Sequence, residues 1–206
     1  MSLPRLLQLA SPTLPVGAYS YSQGLEAAIE AGYVKDAVSA QEWIGDVLEF
    51  SMARMEAQVL RAQIAAPSQA LNDFFLATRE TAELRAETLQ MGQALAKLLH
   101  DMNVPVSVEE PAYPTAFALA VRHWKIEPHE ALVAYLWSWL ENQVMAAIKA
   151  VPLGQTAGQK MLLSLGDRLG ALADLKLDET AWTNFTPGLA YLSSRHETQY
   201  SRLFRS

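Results

Sequence analysis

An all-α, single-domain helical bundle is the fold this 206-residue chain predicts, on three observations. Apolar residues recur at steps of three and four over long stretches. The breaks between those stretches carry proline or glycine, and no run alternates apolar and polar residues for long enough to make a buried strand. With 50% of its residues hydrophobic, the chain has material for a sizeable core, and its length suits one domain over 1–206.

Each element follows from local chemistry. Met1 to Ala10 carries one positive charge and a few leucines, but Gln8 interrupts the apolar run and Pro12 and Pro15 end it, leaving it too short for a signal-peptide core. Ser22-Gln-Gly-Leu-Glu26 starts a helix, with Ser22 as a cap. Ser39-Ala-Gln-Glu42 has the form of a capping box, in which the two side chains satisfy each other's backbone donors. Trp43, Val47, Phe50 and Met55 follow at helical spacing to about Ala66. A second helix begins near Ser68, and within it Leu84, Thr88, Met91, Leu95, Leu98 and Met102 recur in alternating steps of four and three, which keeps one seam facing a neighbour.

Asn103 to Pro111 alternates like a strand, yet Pro105 and the brevity of the run make it a loop. Thr115 caps a short helix containing Phe117, Val121 and Trp124, and Pro128 suits the first turn of a longer one. In that helix Leu132, Leu136, Trp139, Gln143 and Ile148 share a side that Tyr135, Leu140 and Val144 widen, so it packs against several helices. Its most apolar part, Ala131 to Val151, holds Glu141, Asn142 and Gln143, which would be costly in a bilayer. After the break at Val151-Pro-Leu-Gly154, a last long helix runs from Thr156 to Leu175 along Leu162, Leu165, Leu169 and Leu172.

A formal charge of −6 argues against nucleic acid or an anionic membrane as partner, since both would be repelled over most of the surface. The chain has no cysteine, which removes disulfides and thiolate chemistry and fits a cytoplasmic protein. His100, His123, His129 and His196 form no pair spaced to ligate a metal from one helix face. Ser20 and Ser22 sit in no nucleophile elbow. Gly154-Gln-Thr-Ala-Gly-Gln-Lys160 departs from a P-loop: its glycines are one residue too close, Gln159 separates Gly158 from Lys160, and Met161 replaces the hydroxyl. Glu80, Glu83 and Glu87 repeat at helical spacing beside Arg79 and Arg85, as a solvated ion-pair face would. Trp137 and Trp139 face different neighbours on one helix. Neither an enzyme nor a resident cofactor is expected.

The two ends remain. In Pro12-Thr-Leu-Pro-Val-Gly-Ala-Tyr19 the prolines fix φ and Gly17 permits a turn, so the loop can present Leu14, Tyr19 and Tyr21 rigidly at the surface. It serves either to cover the end of the bundle or to be recognised. At the other end, Ser194-Arg-His-Glu197 has the form of a capping box ahead of Tyr200, Leu203 and Phe204, with Arg202 and Arg205 beside them. A helix that short does not hold itself together in water, so the segment is either a frayed tail or one that orders on a partner.

These ends, Leu9 to Glu26 and Arg195 to Ser206, closely resemble the terminal signatures of the urease accessory protein family UreF. Arg79-Glu-Thr-Ala-Glu-Leu-Arg85 and Glu141 to Gln155 resemble its internal motifs. The resemblance implies an all-α bundle with mobile, partner-binding termini that tends to form a homodimer. It implies a non-enzymatic scaffold and checkpoint, which with the accessory protein UreD (also called UreH) recruits the GTPase UreG. The assembly would then dock on apo-urease, where GTP hydrolysis accompanies nickel insertion.

By motif position, the N-terminal contribution to partner binding would come from Pro12, Leu14, Pro15, Gly17, Tyr19, Ser22, Gly24 and Glu26. The C-terminal contribution would come from Arg195, His196, Glu197, Tyr200, Arg202, Leu203 and Phe204. Tyr19 and Arg202 would help recruit UreG, Lys149 would sit where the family monitors the activation step, and the segment from Arg195 onward would pack on UreD. Two other readings stay open: a GTPase-activating protein for UreG supplying Arg195 or Arg202 in trans, and a nickel-binding chaperone using His196.

Overall fold

A computed structural model describes residues 3–206, and among them there are helices, turns and loops but no β-strand. Helix α1 (Leu3–Ala10) is followed by the signature loop and α2 (Leu25–Glu30). Next come α3 (Ala37–Val47), a nine-residue π-helical stretch (Leu48–Glu56) and α4 (Ala57–Ala65), which together make one continuous rod. Then follow α5 (Gln69–Ala77), α6 (Ala82–Asp101), α7 (Tyr113–His123), α8 (Pro128–Ala150), α9 (Gln155–Gly166), α10 (Leu169–Asp174) and α11 (Pro187–His196).

Helix α8 is the axis. It packs against α1, α2, α3, α4, α9 and α10, and its Leu132, Leu136, Leu140 and Val144 are fully buried, which is what the wide apolar band required. No helix among the described residues is long and apolar enough to cross a membrane. At Gly92, helix α6 meets the segment leading into α7: a Cβ there would lie 1.9 Å from the Pro111 carbonyl oxygen, so only glycine lets the two backbones approach. Gly158 is also closely packed, a Cβ there lying 2.3 Å from the Cδ1 tip of the Ile148 side chain on α8. The tract that superficially suggested a phosphate loop is thus the packed first turn of α9.

Several boundaries differ from the sequence expectation. The capping box of α3 is formed by Asp36 and Ser39, whose side chains exchange bonds with each other's backbone N–H groups, three residues ahead of the expected start. Ser68 does cap a helix, but α5 stops at Ala77 and Thr81 caps a new one, because the extended backbone at Thr81 breaks the rod. Thr115 lies inside α7, not at its cap, and accepts a bond from Gln63 in the core. The expected helix from Thr156 to Leu175 bends between α9 and α10. Trp137 packs near Gly166 on α9 while Trp139 bonds Gln23, so the two indoles do face different neighbours.

Candidate protein-interaction site

The N-terminal loop owes its shape to a ladder of local bonds. Leu14 N–H donates to Ser11 O at 2.9 Å and Val16 N–H to Leu14 O at 2.7 Å. Gly17, at φ 79°, then reverses the chain into a single 3-10 turn over Ala18–Ser20. Leu14, Val16 and Tyr21 turn inward, whereas Pro12, Pro15 and Tyr19 face out, Tyr19 being 76% exposed. The expectation that Leu14 and Tyr21 are presented outward is therefore corrected: burial of their apolar surface fixes the loop, and Tyr21 donates its hydroxyl proton to Gln90 at 2.7 Å. Gly24, at φ 76°, closes the segment against α11, where a Cβ would lie 3.1 Å from Leu189.

Three carboxylates receive the C-terminal tail. Glu26 accepts the backbone N–H of Leu203 at 2.7 Å on one oxygen and that of Phe204 at 3.0 Å on the other. His196 is fully buried, with Nε2 3.2 Å from Glu26 and Nδ1 2.7 Å from Glu83. Glu83 also accepts from Arg202 at 2.7 Å, and Glu87 accepts from Ser206 Oγ at 2.9 Å and from Gln23 at 2.7 Å.

Backbone bonds close the contact. Ser22 donates from its N–H at 2.7 Å and its hydroxyl at 2.5 Å to Ser206 O, and Arg205 N–H donates to Ser20 O at 2.7 Å. The Lys149 ammonium stands 4.8 Å over the ring of Phe204, a cation-π contact that pins the buried aromatic to α8. Burial pushes the Glu87 carboxyl up to about 7, against the hydrogen bonds from Gln23 and Ser206 that pull it down.

The tail lies against the body in this structure, with Phe204 and Ser206 buried. Two further expectations are corrected here. The tail does not continue as a helix, because α11 ends at His196; Ser194 bonds back to Tyr191 O, and Glu197 caps α6 by accepting Ala82 N–H at 3.0 Å. Glu83 and Glu87 are likewise not a solvated face; with Glu26 they form the floor under the tail. Arg79, also expected on that face, has a side chain only 4% exposed and pairs with Glu56 at 2.9 Å.

The structure thus brings the two terminal motifs into one site and sorts their residues. Ser22, Gly24, Glu26, His196 and Phe204 make the buried clamp. Pro12, Pro15, Tyr19, Arg195, Glu197, Tyr200, Arg202 and Leu203 are exposed, as is Lys149 at its edge. Sequence reasoning missed Glu83, Glu87 and Gln23 as members. A spacing of four between Glu83 and Glu87 places both on one helix face, but only the tertiary path of the tail says what that face meets. Among the described residues, no group of three or more histidine, aspartate or glutamate side chains could hold a metal ion.

Comparison with known proteins points the same way. The UreF family profile matches residues 34–166. The chain is 55% identical to the urease accessory protein UreF of Azoarcus sp. (strain BH72), over 100% of this chain and 96% of that one. It is 51% identical to its counterpart in Dechloromonas aromatica (strain RCB), over 100% and 98%, and 48% identical to that of Cupriavidus necator, over 98% and 96%.

Proposed function

Because the chain belongs to the UreF family of urease accessory proteins, we propose that it works as a non-enzymatic scaffold in urease maturation, joining UreD to recruit the UreG GTPase for nickel insertion into apo-urease. The observation that carries this reading is the division of labour at the joined ends. Tyr200, Leu203 and Tyr19, 105%, 57% and 76% exposed, are large side chains left outward on a hydrogen-bonded base. Aromatic and arginine side chains are what hot spots of protein interfaces are enriched in. UreD then takes the tail face from Arg195 to Leu203, and UreG the face bearing Tyr19 and Arg202, with Lys149 at the seam reporting whether Phe204 is seated.

For Arg202 the geometry weighs against the arginine-finger reading: it is bonded to Glu83 at 2.7 Å and to Glu197 O at 3.4 Å, and a finger would first have to abandon both bonds. The discriminating experiment is a pull-down of UreD and UreG with Tyr19→Ala and Arg202→Ala. Both variants should retain UreD and lose UreG by at least tenfold, and GTP turnover by UreG should change by less than tenfold when the wild-type chain and UreD are added. A ternary complex indifferent to both substitutions, or turnover raised by several orders of magnitude, would overturn the reading.

A further inference from the structure

Behind the N-terminal loop lies a cavity of about 360 Å³, open beside the exposed Tyr19 and the half-exposed Met145 and closed at its floor by Arg79 and Tyr113. Its volume falls in the range of small-ligand pockets. The inner wall is apolar, with Leu14, Met52 and Met91 among its residues. Ser138, Glu141, Asn142 and Met145 follow one another at helical spacing, so a single face of α8 runs along the outer wall.

At the floor the charges are already matched. Arg79, the only basic side chain in the lining among the described residues, is 4% exposed and pairs with Glu56 at 2.9 Å. The other oxygen of Glu56 accepts from the Tyr135 hydroxyl at 2.6 Å, and the two oxygens of Glu87 accept from Gln23 and Ser206. Nearer the opening, Asn142 gives an amide N–H to Tyr21 O at 3.1 Å and Ser138 its hydroxyl proton to Tyr135 O at 2.8 Å. Glu141 is the exception. Among the described residues its carboxyl has neither a hydrogen bond nor an ion-pair partner, and partial burial alone pushes it up from its ordinary value.

An unmatched carboxylate beside apolar and aromatic surface selects its ligand by charge. An anion would meet Glu141 with no basic side chain to offset it, since Arg79 is held at the floor by Glu56. A neutral molecule would cover the apolar wall and leave the carboxyl as it stands. A cation gains on both counts: it pairs with Glu141 where part of the surrounding water is excluded, and it stands among the rings of Tyr19 and Trp139, which line the same space. We propose that this cavity binds a primary ammonium group on a short apolar body, the ammonium beside Glu141 and the body directed inward between Leu14 and Met91. This site does not rest on the scaffold reading and is tested on the isolated chain.

The test is a titration followed by two-dimensional NMR with three probes sharing one branched alkyl body: 3-methylbutylammonium (cationic), 3-methylbutan-1-ol (neutral) and 4-methylpentanoate (anionic). The ammonium should bind saturably with Kd on the order of millimolar, about fivefold tighter than the alcohol and roughly tenfold or more tighter than the carboxylate. Glu141→Gln removes a charge and no hydrogen bond, so it should bring the ammonium down to the affinity of the alcohol and leave the alcohol's own affinity unchanged. A fourth probe, Nα-acetyllysine N-methylamide, separates the sources: binding at least equal to that of the small amine marks a lysine side chain of a partner protein as the natural occupant, and binding of the small amine alone marks a free amine. Absence of saturable shifts, an alcohol that binds as tightly as the ammonium, or a Glu141→Gln variant that leaves the ammonium unchanged or weakens both probes alike would overturn the proposal.

Discussion

At Glu87 two requirements oppose each other: the carboxylate is wanted as an acceptor for Ser206 and Gln23, and burial disfavours its charge. Its folded-state value of about 7 stands against 4.5 for the free side chain, so between those pH values the folded chain keeps a proton that the unfolded chain has released. The neutral-state advantage is complete below about pH 4.5 and lost as pH rises through 7, an effect on the order of 3 kcal/mol. Glu87→Gln should remove that falling component. Urea unfolding from pH 4.5 to 8 should show the variant gaining on the wild type steadily through the window and leading by about 2 to 3 kcal/mol at pH 8; parallel curves would show that Glu87 is charged throughout.

Among the helices, the α6–α7 crossing is the contact least tolerant of change. Gly92→Ala drives a methyl group into the Pro111 carbonyl, which is backbone and cannot step aside, so α6 and the segment entering α7 must move apart. The cost should be about 3 kcal/mol in urea unfolding. Gly170→Ala is the matched control: it lies in α10 with open space around it and should stabilise the chain by up to about 1 kcal/mol. An equal effect at the two positions would mean that helix propensity, not the crossing, governs both.

The same scale shows what sequence patterns reveal. Helix α8 was legible because proline sets its first turn and its apolar band is unbroken over six turns. The break between α5 and α6 was not, since Thr78 to Thr81 contains no proline or glycine to mark it. The π-helical stretch left no trace either, because one extra residue per turn shifts the apolar period too little to read. At the site, Tyr19 and Gly17 could be placed from prolines and glycine alone. The tail could not: its helix-like spacing and Ser194-x-x-Glu197 pattern mimic a helix start, while its true partners, Glu26, Glu83 and Glu87, lie far off in sequence.

Considered whole, the molecule is fastened end to end. Phe204 is 6% exposed and Ser206 1%, so removing residues 197–206 strips cover from Glu26, Glu83 and His196 as well as losing the buried phenyl ring. Such a truncated chain should lose about 3 kcal/mol of stability, and hydrogen exchange should quicken first at residues 20–26 and not in α8. Stability and exchange matching the full chain would mean that the tail rests on the body without contributing to it.

The bond between Glu26 and the Leu203 N–H joins residues 177 positions apart. A ribosome that has delivered the first motif must therefore deliver almost the rest of the chain before the two halves can meet, and so long a loop closes late in folding. Until then Glu26, Glu83 and Glu87 lack the groups that satisfy them, so the joined face forms as a single late event once both motifs are in place.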